Sequence, residues 1–180
     1  MRILCLLLAQ LPLQIEIQRD PRLAGEPLAL LRPWDQRVLA AARPLRAAGV
    51  RPGDSRRSVE QRCPQARFLP AAEARYQHAH QQLEGALSAF CTRIESDGLG
   101  KFFINVSVLA RTFRSETALA TVVAQQARSK TQLPVTTAIA GNKFTASLAA
   151  LQAHPARAIP AGQQAAFLAA LPLTALPDPP

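Results

Sequence analysis

The stretch Arg93-Ile94-Glu95-Ser96-Asp97-Gly98-Leu99-Gly100-Lys101-Phe102-Phe103-Ile104-Asn105-Val106-Ser107 decides the fold. Its two arms, Arg93 to Ser96 and Phe102 to Val106, carry β-branched and aromatic residues that suit a pleated, half-buried surface. Asp97-Gly98-Leu99-Gly100 between them is turn chemistry, because glycine accepts the positive φ of a tight reversal without steric cost. The stretch therefore predicts a β-hairpin.

Working outward, Ala71 to Phe90 precedes the hairpin as a long helix, with Ala79, Leu83, Ala86, Leu87 and Phe90 at helical spacing. At the start of the chain, Ile3 to Leu8 is a continuous apolar run, the pattern of a central strand covered on both faces. The same run after Met1-Arg2 has the look of a signal peptide. Gln10, Gln14, Glu16 and Gln18 follow at once without a small-residue cleavage site, so the buried strand is preferred. No run reaches the length of a membrane-spanning helix. After the hairpin, Ser115 caps a helix to about Lys130 with Glu116 in its first turn. Pro134 to Ala140 then reads as a strand, Asn142 to Ala153 as a helix and Gly162 to Ala170 as a last short helix.

Between the first strand and the long helix the sequence changes character. Leu11 to Arg19 reads as a short helix, and Pro27 to Leu31 and Arg37 to Ala41 as short strands around a Pro33-Trp34-Asp35 turn. Arg43 to Ala48 is a brief helix closed by Gly49. Ser55 caps a helix ending near Cys63, and Arg67-Phe68-Leu69 is a short strand. The predicted class is α+β: a ferredoxin-like sheet with helices on one face and a small inserted lobe. In residue numbers, 1–9 and 71–172 form the sheet domain, 10–70 the insertion and 173–180 a Pro-rich tail.

Composition narrows the partner. The 180 residues carry a net charge of +9, most of it from arginine. That balance suits a polyanion, nucleic acid first and an anionic membrane surface second, against the plainer reading of a solvated basic surface. Cys5, Cys63 and Cys91 are odd in number and lack metal-type spacing, so they read as free thiols in a reducing cytoplasm. His78 and His80 stand two apart on a helix and so point to different sides, which argues against a shared metal. Trp34 could stack on a ligand, but packing against its own turn is the expectation. Asn105-Val106-Ser107 matches a glycosylation sequon that has no role in a cytoplasmic chain.

The hairpin also carries a resemblance. Arg93-Ile94-Glu95, seven residues, then Phe103-Ile104-Asn105-Val106-Ser107 resembles the palm hairpin of Y-family DNA polymerases, which reads roughly R-I-E-x-x-S-[IL]-D-E-A-[FY]-L-D-V-T. Ile15-Glu16, Pro21 and Leu23 are similar to the segment after that family's first strand. Arg43-Pro44-Leu45-Arg46-Ala47-Ala48-Gly49-Val50-Arg51-Pro52-Gly53 resembles its fingers motif, and Cys63-Pro64, Leu69-Pro70 and Tyr76 its next segment. Ala138-Ile139-Ala140-Gly141-Asn142-Lys143-Phe144, Pro160 and Phe167 to Pro172 resemble the motifs after the hairpin. The matches run in colinear order over nearly the whole chain. They imply that the sheet domain is a palm and the insertion a fingers lobe, with thumb and little finger absent.

The resemblance also says what has changed. Family members hold two divalent metals on carboxylates at the end of the first strand and in the hairpin, because Mg²⁺ wants hard anionic oxygens. Those positions are Leu7, Ala9, Gly100 and Lys101 in this chain. The expectation is a chain without metal, cofactor or catalysis, closest to the ImuB-like proteins, also on the strength of Leu11-Pro12-Leu13. Such a protein would serve DNA repair, translesion synthesis and the damage-induced SOS response. Its implied partners are DNA, an error-prone C-family polymerase, an ImuA-type protein and the sliding clamp, with no membrane. Arg43, Arg46, Lys101 and Lys143 are the candidate phosphate or DNA contacts; Arg46 offers a planar fork, while Ser147 replaces a second family lysine. Two rivals remain: an active nucleotidyltransferase using Glu95 and Asp97, and a protein-interaction module without DNA affinity.

Overall fold

The computed structural model describes residues 1–172, so the Pro-rich tail expected at 173–180 lies outside the described residues. In chain order the elements are β1 (Ile3–Leu7), α1 (Leu11–Arg19), β2 (Leu28–Leu31), β3 (Val38–Ala41), α2 (Arg43–Ala47), α3 (Arg56–Arg62), β4 (Arg67–Pro70) and α4 (Glu73–Ser88). They continue with β5 (Ile94–Ser96), β6 (Lys101–Asn105), α5 (Glu116–Thr131), β7 (Thr136–Ala140), α6 (Lys143–Leu151), β8 (Ala156–Ala158) and α7 (Gln164–Ala169). The described residues divide into two compact units, one of Met1–Ala9 with 79–172, the other of Gln10–His78.

The first unit is built on a mixed sheet of order β5-β6-β1-β7-β8. β1 runs antiparallel to both β6 and β7, while β8 lies parallel to β7. All five residues of β1 are buried, as its unbroken apolar run requires. Alternation then sorts the side chains. Ile3, Cys5 and Leu7 share a face with Phe103, Ala138 and Ala140, and Ala146, Ala149 and Ala150 of α6 pack onto them. The small alanines let that helix approach the sheet closely. On the other face, Thr137 of β7 donates its hydroxyl to the Ala120 carbonyl of α5 at 2.7 Å, and His80 of α4 stacks on Phe102. Ser115 caps α5, accepting from the Ala118 amide at 3.0 Å. Inside its first turn Glu116 takes the Arg2 guanidinium.

The α+β class is as expected. Helices on one face describes α4 and α5; α6 lies on the opposite face, because β1 is apolar on both sides and leaves two surfaces to cover. Strand β8 has no counterpart in the sequence reading. Ala156-Arg157-Ala158 is three residues long and half-buried, too short to show a period.

The second unit holds a three-stranded sheet of order β3-β2-β4, with β2 antiparallel to β3 and parallel to β4. Ala29, Leu31, Val38, Ala41, Leu45, Val50, Val59 and Cys63 form its core. Ser55 caps α3 by accepting from the Ser58 amide at 3.2 Å. One charge is buried here. Glu16 of α1 accepts from the Tyr76 hydroxyl at 2.8 Å, from Arg75 at 3.1 Å and from Arg19 at 3.1 Å. A buried carboxylate needs such partners to offset its lost hydration.

Candidate nucleic-acid interface

The register of β1 and β6 sets Leu7 directly opposite Lys101 at the end of the first unit's sheet. One strand further out, Glu95 of β5 pairs with Phe103 of β6. These residues open onto a cleft of about 460 Å³, whose other wall is α6, with Lys143, Phe144, Ser147 and Leu151. Asn142 starts that helix, its side chain accepting from the Thr145 amide at 2.8 Å, which places Lys143 at the helix start facing β5.

Two acid–lysine pairs line the cleft. Lys101 Nζ lies 2.7 Å from Asp97 Oδ2, and Lys143 Nζ lies 2.6 Å from Glu95 Oε2. Both ammonium groups also stand near the face of Phe103, at 5.3 Å and 5.9 Å from the ring centroid, where the ring's negative face favours them. Of the four candidate contacts, the fold therefore brings Lys101 and Lys143 together. Arg43 and Arg46 are exposed on α2 of the other unit.

The hairpin turn is fixed from beneath. Gly100 has φ 78°, a left-handed value that glycine adopts without strain. Its amide donates to His80 Nδ1 at 3.1 Å, and its carbonyl accepts from the Leu8 amide at 2.7 Å. With Nδ1 accepting, the ring proton sits on Nε2, 3.1 Å from Ser96 Oγ. The ring stacks on Phe102 at 4.4 Å between centroids. Sequence reading treated His80 only as a poor metal ligand and missed this role; no residue pattern announces an acceptor for a turn amide.

Burial holds the His80 imidazole below its ordinary pKa of 6.5, with Glu84 pulling the other way. The unfolded chain thus takes up a proton at a pH where the folded ring stays neutral, and stability rises with pH through that window. The His80 contribution is complete above about pH 6.5 and is lost as pH falls below it. His80→Phe keeps the stack and removes the titration. Urea midpoints measured from pH 7.5 down to about pH 5 should fall less steeply in His80→Phe than in the parent; equal slopes would remove His80 from this role.

The cleft does not fit a bound pair of Mg²⁺ as it stands. Such ions need several anionic oxygens at about 2.0–2.1 Å. Leu7, Ala9, Gly100 and Lys101 supply none from their side chains, and the two carboxylates that line the cleft are each held by an ammonium group. The Leu7 carbonyl accepts from Thr136 Oγ1 at 3.2 Å.

Comparison with known proteins adds what geometry alone cannot. A family model described as the impB/mucB/samB family matches residues 9–151. DNA polymerase IV of Halorhodospira halophila is 30% identical over 166 residues, which cover 90% of this chain and 47% of that protein. DNA polymerase IV of Stenotrophomonas maltophilia strain K279a is 31% identical over 166 residues, covering 91% and 46%. The chain spans about half the length of these curated relatives. Among solved structures, DinB from Sulfolobus solfataricus superposes with a TM-score of 0.84 at 22% identity, over 99% of this chain and 54% of that one. The insertion ternary complex of Dbh DNA polymerase gives 0.80 at 21% identity, over 99% and 54%. At these identities the structural likeness shows the fold.

The relatives correct one expectation. Reading the chain as no enzyme, a pseudo-polymerase, is overturned by relatives that bear the name of a DNA polymerase. Glu95 and Asp97, which the sequence offered only as the acids of a rival reading, both line the folded cleft.

Proposed function

We propose that this chain, which belongs to the impB/mucB/samB family, works on DNA in repair and translesion synthesis as the palm-and-fingers part of a Y-family polymerase. The observation that carries this reading is the cleft at the sheet end, where Lys101 and Lys143 converge over Phe103 in a chain of net charge +9. Each lysine now rests on a carboxylate, and each can exchange that partner for a backbone phosphate, a charge-assisted contact of the same kind. Arg43 and Arg46 belong to the proposal as further phosphate contacts on the fingers lobe. In that setting the chain would act in the cytoplasm. The finer reading, induced mutagenesis beside an error-prone C-family polymerase, an ImuA-type protein and the sliding clamp, rests on the sequence resemblance alone. Among the described residues no helix is long and apolar enough to cross a membrane.

The test is fluorescence anisotropy of labelled primer–template DNA titrated with the chain across a range of salt. Binding should weaken steeply with salt, and the double variant Lys101→Gln/Lys143→Gln should flatten the log–log slope by about 1.8, from about 0.9 per phosphate contact. No binding at low salt would sink the reading in favour of a protein-interaction module.

A second reading is favoured by the presence of Glu95 and Asp97 in the cleft. The chain would then be a DNA-directed nucleotidyltransferase with a rearranged set of acids. Primer extension with Mg²⁺ or Mn²⁺, abolished by Glu95→Gln or Asp97→Asn, is its signature. Extension that survives both substitutions would refute it.

A further inference from the structure

We infer that Trp34, at the tip of the β2–β3 hairpin, is a stacking site for an unpaired base of single-stranded nucleic acid, with neighbouring arginines taking its phosphates. The inference rests on the DNA reading above and names a site that the palm cleft does not include. Trp34 is the one tryptophan of the chain. Packing in its turn was the expectation; the residue is instead 66% exposed. The faces of an exposed indole are what an unpaired base would cover.

The turn that carries the ring is closed by its own hydrogen bonds. The Arg32 amide donates to the Arg37 carbonyl at 2.9 Å, and the Gln36 amide returns to the Arg32 carbonyl at 3.0 Å. Gln36 takes a left-handed conformation, φ 54°, and its side-chain amide donates to the Pro33 carbonyl at 3.1 Å. Asp35 accepts from the Arg37 amide at 3.0 Å and holds the Arg32 guanidinium by two bonds, at 3.1 Å and 2.6 Å. Arg32 is thereby parked over the indole, 5.9 Å from its centroid. Arg37 donates to the Gly53 carbonyl at 2.9 Å and bridges to Ser55, after which Arg56 and Arg57 follow, both exposed. The backbone that carries the ring is thereby fixed, with the Arg32 guanidinium over the indole.

The ligand class follows from the chemistry. An aromatic face among arginines suits base stacking with phosphate contacts alongside, the combination that holds single strands without reading their sequence. A duplex hides its base faces in its own stack and offers this ring only an edge. A membrane surface would need more apolar area than one indole, which stands here among Arg32, Asp35, Gln36 and Arg37.

As the single tryptophan, Trp34 is its own reporter. The full chain is titrated with an unlabelled thymidine oligomer while indole emission is recorded, in parallel with anisotropy of the labelled oligomer. Emission should be quenched with the same midpoint as the anisotropy. Trp34→Ala should weaken single-strand binding roughly 5- to 100-fold, Trp34→Phe much less, and duplex binding should change little. Both substitutions lie at an exposed site, and circular dichroism checks that the variants fold. Anisotropy that rises with no change in emission, or a Trp34→Ala variant that binds as tightly as the parent, overturns the stacking site and leaves the DNA reading standing. Equal quenching by heparin, a polyanion without bases, also overturns it. No anisotropy change with any DNA removes both.

Discussion

Phe102→Ala is expected to cost about 3–5 kcal/mol of stability, the range for truncating a fully buried aromatic ring. Phe102 is wholly buried in the second position of β6. It faces Leu6 across β1 and Ser96 across β5, so it joins three strands. Its ring is also the platform under His80, at 4.4 Å and 19° between planes. Losing the ring opens a cavity and frees the imidazole that anchors the Gly100 amide, so the start of β6, with Lys101, loosens together with the core. Urea unfolding should show a lowered midpoint with the slope unchanged. Phe102→Leu, which keeps most of the volume, should cost less than about 1.5 kcal/mol. A shift below about 1 kcal/mol in Phe102→Ala would mean that neighbouring side chains collapse into the space and that the stack is not a support.

Much of this architecture could be read from residue order because local and global signals agree. The unbroken Ile3 to Leu8 run favoured a strand covered on both sides over a signal peptide, and β1 is entirely buried. Ser55, Ser115 and Asn142 were each followed by a helix, and all three cap one. β8 was illegible for the opposite reason: three residues held by pairing to Thr137, Ala138 and Ile139 of β7 carry no period of their own. The placement of α6 on the face opposite α5 was also hidden. Both helices are rich in buried alanine, and nothing in either pattern says which side of an all-apolar strand it will cover.

The site was legible in part. Lys101 and Lys143 were singled out separately, and the strand register with the Asn142 cap brings them to one ring. Their partners were not foreseen as partners, because Glu95 and Lys143 lie 48 residues apart and meet only through the sheet. Glu95 and Asp97 were legible as the acids of a rival metal site, but that each holds a lysine shows only in the folded cleft. Trp34 failed in the other direction. Turn residues such as Pro33 and Asp35 are visible in sequence, but the exposure of the ring between them is read only from the folded turn.

Glu16→Ala should be the second large perturbation, about 2–4 kcal/mol, because it leaves the buried Tyr76 hydroxyl without its acceptor and removes the carboxylate shared by two arginines. The larger share belongs to Tyr76, which is fully buried; Arg19 and Arg75 are about half exposed, so their ion pairs are screened and contribute less. Tyr76→Phe alone should cost about 1.5–3 kcal/mol, the loss of one hydrogen bond to a charged group. The double variant should cost less than the two singles together, with a coupling of about 0.5–3 kcal/mol, since each single removes the same contact. The chain has one tyrosine, so its ultraviolet ionisation reports this site without interference. Burial first, and then Glu16, push the phenol up to about 12. The folded state thus favours the neutral phenol, and this stability is complete below pH 10 and lost as pH rises from 10 towards 12. Glu16→Gln keeps an acceptor and removes the charge, so it should bring the phenol's ionisation down while sparing most of the fold. If Tyr76 ionises at the same pH in Glu16→Gln as in the parent, the Glu16 charge does not act on Tyr76, and burial alone holds the phenol neutral.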